Sequence, residues 1–184
     1  MKNLLKATAN ALAMVFLLTC STAWGEEQTI RVPGEGWRIR FEAPKLLPGP
    51  APAPGERQRV FYGSAGLFQL TFFVEPPRCG GPDTDENIYA CFLPNLLKNP
   101  YIVSDSVRAN TVPNGVQVMA LSRVQTERGT GTNFSMHLLF ARRGKWADVH
   151  ASFASPTKDD VRALAAIVSS IKIEDDPEPA AVAP

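Results

Sequence analysis

Apolar and polar residues alternate most regularly in three consecutive segments, residues 116–126, 132–142 and 145–153. This period of two is typical of half-buried β-strands. If residues 143 and 144 form a two-residue turn, Arg142 lies opposite Lys145, which fixes the pairing back along both strands. One face then carries only apolar side chains: Phe134, Met136, Leu138, Phe140, Ala147, Val149, Ala151 and Phe153. The pattern therefore predicts an antiparallel sheet with one buried face.

Shorter strand patterns lie in the first half of the chain. Residues 29–32 and 37–42 flank a Pro-Gly-Glu-Gly turn, and residues 57–62 and 67–74 flank Gly-Ser-Ala-Gly. Five prolines between residues 43 and 55 indicate an extended, exposed loop.

Two helices are predicted between and after the strands. Asp83 or Thr84 is a cap for the first, which runs from about residue 85 through 97, and Pro94 predicts either two short pieces or one bent helix. Thr157 and Asp160 predict a capping box for the second. Its apolar stripe comprises Val161, Leu164, Ile167, Val168 and Ile171.

Neighbouring strands with segregated helices favour an α+β fold, an antiparallel β-sheet flanked by helices, because α/β folds alternate the two elements. We expect one such domain over residues 26–173. Residues 174–184 are acidic and proline-rich, which predicts a disordered tail.

The first 25 residues have the pattern of a secretory signal peptide. Lys2 and Lys6 precede the apolar run of residues 11–18, and small residues at positions 23 and 25 favour cleavage before Glu26. The run is too short for a membrane span. Cys20 follows Leu-Leu-Thr, which resembles a lipoprotein box, but Thr19 is bulkier than the residue that box prefers. We therefore expect a soluble periplasmic or secreted protein, with lipidation at Cys20 as the alternative.

The charge balance restricts the class of partner. Loss of the leader would change the formal charge from +1 to −1. A near-neutral domain lacks the basic surface that binds nucleic acid or anionic membranes. We expect a monomer without a cofactor.

Cleavage at that site would leave two cysteines, Cys79 and Cys91. An even number of cysteines in an oxidising compartment indicates a disulfide. A metal site would need two more ligands, and no other Cys or His lies nearby in sequence.

The chain's only two histidines are the main candidate for chemistry. In the predicted register His137 lies opposite His150, with Cβ atoms about 4.5–5.5 Å apart, and Asp148 is on the same face. Such a group can form a metal site with an open position or an acid–base pair. The alternative is a structural histidine pair, satisfied by Asp148, Ser135 or Ser152 beneath a helix.

Residues 33–44 (PGEGWRIRFEAP) look like the opening motif of one known family. Gly144-Lys145-Trp146 in a hairpin, and a closing helix that ends in Ser169-Ser170-Ile171, follow in that family's order. Over about residues 29–173 the chain thus resembles the PsbP-like group, which includes the extrinsic PsbP proteins of photosystem II, Mog-type Ran-binding proteins and exported bacterial DcrB-like proteins. The resemblance implies an α/β/α sandwich and function through protein binding, without specifying a partner.

Together these patterns predict an exported, non-enzymatic accessory protein that binds another exported or envelope protein. The main alternative is a periplasmic protein that binds a small ligand or metal at His137, Asp148 and His150. A metal-dependent hydrolase is the third possibility.

Overall fold

A computed structural model of the chain describes residues 25–53, 59–126 and 129–176. Its strands are β1 Glu26–Val32, β2 Trp37–Ala43, β3 Leu47–Pro48, β4 Arg59–Ala65, β5 Phe68–Glu75, β6 Arg108–Val112, β7 Gly115–Thr126, β8 Gly129–Arg142, β9 Lys145–Ala154 and β10 Lys172–Asp175. The helices are α1 Asp85–Leu97, α2 Lys158–Ser170 and a 3₁₀ turn at Ser104–Ser106. Neither α-helix is long and apolar enough to cross a membrane. The predicted signal peptide, including Cys20, lies outside these residues except for Gly25.

The strands form two antiparallel sheets. The larger has seven strands in the order β3-β4-β5-β9-β8-β7-β6, and the smaller has the order β1-β2-β10. Helix α1 packs on one face of the seven-stranded sheet, here called the outer face. Helix α2 and the three-stranded sheet pack on the opposite, inner face. The α+β class is confirmed, with strands rather than helices forming most of the domain.

The main core lies between the inner face and the smaller sheet. Trp37 of β2 is fully buried and meets Phe72 and Phe140 edge-on, with ring centroids 6.0 and 5.7 Å apart. Leu164 of α2 is also fully buried in this cluster. Buried aromatic pairs add about 0.5–1.5 kcal/mol each beyond the area they bury. This core fixes α2 and the smaller sheet against strands β5, β8 and β9.

The register predicted for β8 and β9 is confirmed. Arg142 pairs with Lys145 and His137 with His150. The turn residues Arg143 and Gly144 have φ of 51° and 74°, and a two-residue type I′ hairpin requires positive φ at both positions. The predicted register therefore places the apolar set on the inner face.

The predicted boundaries of both helices agree with the structure, but Pro94 does not divide α1. It lies in the last turn of a single 13-residue helix, so its missing N–H interrupts the hydrogen bonds only near the end of the helix. Thr84 caps α1, and the capping box of Thr157 and Asp160 begins α2.

Two predicted irregular segments are partly ordered in strands. The predicted disordered tail begins at residue 174, but β10 continues to Asp175 and pairs with β2; residues 177–184 lie outside the described residues. Composition misleads here because the acidic residues meet arginines distant in sequence: Glu174 contacts Arg38 and Arg40. Within the expected proline-rich loop of residues 43–55, Ala43 ends β2 and residues 47–48 form β3.

Candidate functional site

The predicted histidine cluster is assembled on the outer face of the seven-stranded sheet. The rings of His137 and His150 stack with centroids 4.3 Å apart and planes inclined by 2°. Nδ1 of His137 lies 3.0 and 3.2 Å from the two carboxylate oxygens of Asp148. The structure therefore brings all three predicted residues together.

Helix α1 covers this cluster. The Phe92 ring lies 4.8 Å from the His137 ring, and the His137 side chain is only 9% exposed. The helix is held in place by the Asp85 carboxylate, which accepts a 2.7 Å hydrogen bond from the backbone N–H of Ala141. The predicted disulfide between Cys79 and Cys91 ties the preceding loop to α1. The loop before α1, α1 itself and strand β8 are thus linked to one another around the histidines.

The environment keeps His150 neutral near pH 7. The pKa of His150 is lowered from 6.5 to about 4, chiefly by burial and in smaller part by the neighbouring His137, while Asp148 opposes both effects. A buried imidazole loses hydration on protonation, and a second imidazole above it repels the added charge. A neutral ring is the form that stacks on His137 without this repulsion.

The ring geometry does not suit a shared metal ion. Imidazole nitrogens bind metal in the plane of the ring at about 2.0–2.1 Å. Two parallel rings at this separation direct their lone pairs into separate planes, so one ion cannot lie in both. Among the described residues, no group of three or more His, Cys, Asp or Glu side chains is arranged to hold a metal ion. The contacts of His137, which pairs with Asp148 beneath the Phe92 ring of α1, match the structural alternative.

A second surface was not predicted. Helix α1 contacts β7, β8 and Trp146 of β9, so that no helix of the described residues covers the β4–β5 half of the outer face. We call this half the open face. It consists of Leu47, Arg59, Tyr62, Ser64, Gln69, Thr71 and Phe73, as strand alternation and register place them.

The open face adjoins the histidine cluster. Thr71 pairs with His150, and Phe73 pairs with Asp148, whose side chain is 24% exposed. At the other margin, Leu47 is 67% exposed, although Leu46 before it is buried in the core. The sequence contained a signal for this surface, because Gln69, Thr71 and Phe73 alternate with the buried residues of β5.

The cations at the β8–β9 turn are paired within the chain. Arg142 and Arg143 contact Asp175 at 2.6 and 2.9 Å, and Lys145 contacts Glu35 at 2.9 Å. These arginines lower the pKa of the Asp175 carboxyl, chiefly through the hydrogen bond from Arg142. The hairpin tip is therefore a link to β10 and to the β1–β2 turn.

Comparison with known proteins gives no assignment of family. No family model matches the chain, and no curated protein matches it. Among solved structures, LpqN, which is involved in cell envelope biogenesis of Mycobacterium tuberculosis, aligns with a TM-score of 0.41 and 13% identity. The alignment covers 82% of this chain and 85% of LpqN. At these values the likeness assigns neither a family nor a function, and the relation to PsbP-like proteins stays a prediction.

Proposed function

We propose that this chain is an exported, non-enzymatic accessory protein that binds another protein of the bacterial envelope through the open face. The observation that carries the proposal is the half-covered outer face of the seven-stranded sheet. One half packs under α1, whereas the other presents Leu47, Tyr62 and Phe73 among polar side chains, with Arg59 over the Tyr62 ring. Clustered apolar side chains rimmed by polar ones mark interaction surfaces.

The composition of the open face specifies the chemistry of the partner. Apart from Arg59, whose guanidinium lies 5.6 Å from the centre of the Tyr62 ring, its residues carry no formal charge, so a cationic partner surface would lose hydration without gaining a counter-ion on this face. Tyrosine and phenylalanine supply large contact areas at low entropic cost. We therefore expect a partner with an apolar centre and hydrogen-bonding groups around it, without a strongly cationic surface.

Two further features support an exported, binding role. The leader pattern and the Cys79–Cys91 disulfide are what an oxidising compartment outside the cytoplasm favours. The layer order, with α1 on one side of the larger sheet and α2 on the other, supports the proposed relation to the PsbP-like sandwich. The ring of His137 is only 9% exposed beneath Phe92, which restricts the access of a substrate and supports a non-enzymatic role.

The test is site-specific photocross-linking in the producing cell. A benzoylphenylalanine at Gln69, exposed on the open face, is compared with one at Ala166, exposed on α2 at the opposite side. We expect a discrete protein adduct from position 69 only, and the partner identified in it should bind the purified protein. Thr71→Arg should weaken that binding more than tenfold and leave the unfolding temperature unchanged, because Thr71 is half-exposed. Equal adducts from both positions, or unchanged binding by Thr71→Arg, would refute the proposal.

A further inference from the structure

A cavity lies on the inner side of the sheet, away from the histidines and the open face. It occupies about 150 Å³ between the C-terminal turn of α2 and the β6–β7 hairpin. Val112, Leu138 and Val168 contribute apolar walls. Leu138 and Val168 are 2% and 3% exposed, so these two walls belong to the main core and cannot move freely.

In the polar lining, two side-chain amide groups already donate hydrogen bonds, whereas their carbonyl oxygens are available as acceptors. The side-chain amide of Asn114 donates to the Ile171 carbonyl at 2.8 Å, and that of Gln117 donates to the Met136 sulfur at 3.0 Å. Within the described part of the chain, neither side-chain carbonyl oxygen accepts a hydrogen bond. Asn114 is exposed at the mouth, whereas Gln117 is half-buried and pairs with Leu138 across β7 and β8. The Gln117 oxygen is therefore the acceptor nearest the apolar walls.

We propose that this cavity binds a small neutral molecule with a ring-sized apolar body and one hydrogen-bond donor, a phenol-like ligand. A cavity of this volume is large enough for a benzene ring. Neither a cation nor a carboxylate lines it, so an ionised ligand would lose its hydration without compensation. The donor of the ligand meets the Gln117 oxygen, and the ring contacts Leu138 and Val168. This site is independent of the proposed role of the open face.

Three probes of similar size separate the contributions of the apolar ring, the hydrogen-bond donor and the charge of the ligand. Phenol, toluene and benzoate are titrated separately into the purified protein, and the methyl NMR signals of Val112, Leu138 and Val168 are followed. Phenol should give saturable shifts with millimolar affinity. Toluene should bind about three- to tenfold more weakly because it lacks the hydrogen bond. Benzoate should give no saturable shift.

Three variants test the location. Ser169 lines the exposed rim, so Ser169→Phe should block the cavity and abolish the phenol shifts, whereas Ser169→Ala should retain them. Gln117→Met keeps the side-chain length and should remove the preference for phenol over toluene. Phenol shifts that persist in Ser169→Phe, benzoate binding equal to that of phenol, or no saturable shift with any probe would overturn the proposal. The last result would mean that the cavity holds only water.

Discussion

Lowering the pH from about 7.5 to 5 should destabilise the protein through His150. The unfolded chain takes up a proton on this residue below pH 6.5, but in the folded protein its pKa is about 4 because the ring is buried against His137. The folded state, which favours neutral His150, therefore has its full stability above pH 6.5 and loses stability as the pH falls toward 4. For these two pKa values, linkage predicts a loss of about 2 kcal/mol in the free energy of unfolding between pH 7.5 and 5.

The assay is urea unfolding at a series of pH values, followed by the fluorescence of the buried Trp37 and Trp146. His150→Gln removes the titrating group and should flatten the pH dependence in this window by about 2 kcal/mol. Thr71→Val, at the neighbouring position on β5, removes no titrating group and should retain the wild-type slope. Asp160, whose pKa is lowered by its hydrogen bonds to Thr157, titrates below the window.

The outcome shows whether His150 causes the pH dependence of stability. A slope in His150→Gln equal to that of the wild type would refute the assignment of this pH dependence to His150. A wild-type protein equally stable at pH 7.5 and 5 would refute the lowered pKa itself. Absolute stability is not the readout, because the variant also loses the stacking contact with His137.

Three further predictions concern the supports of the fold. Reduction of the Cys79–Cys91 disulfide, which joins cysteines 12 residues apart, should lower the free energy of unfolding by about 3 kcal/mol through the entropy of the unfolded chain; equal urea midpoints with and without reductant would contradict this. Thr157→Ala removes the cap of α2 and should cost about 1 kcal/mol in the same assay, whereas Thr157→Ser should cost little. Leu164→Ala should cost about 3 kcal/mol by leaving a cavity in the main core, and calorimetry against the exposed Ala166→Ser would check this.

The sequence was sufficient to predict those elements that are specified by residues close to one another in the chain. The β8–β9 register follows from two turn residues and the alternation beside them, and it was sufficient to bring His137 and His150 together. The start of α2 follows from a capping box that spans four residues. Both patterns act within one turn or one hairpin, so no knowledge of distant contacts is needed to recognise them.

Elements stabilised by distant partners were not predicted. Strand β6, Arg108–Val112, shows no apolar alternation because four of its five residues are exposed at the sheet edge; it is a strand because β7 pairs with it. Strand β10 resembles a disordered acidic tail until Arg38 and Arg40 are placed opposite Glu174. The open face was missed for a related reason, since its extent depends on where α1 lies across the sheet.

The position of β10 has a consequence for the order of folding. Strand β2 receives one neighbour, β1, from the residues just before it, and the other from the last strand described. The smaller sheet is therefore incomplete until residue 175 has been synthesised, and Arg38 has no acidic partner from β10 before then. Late pairing of this kind delays closure of the core. A chain that cannot close early remains extended for longer, which is the state that the export proposed above would require.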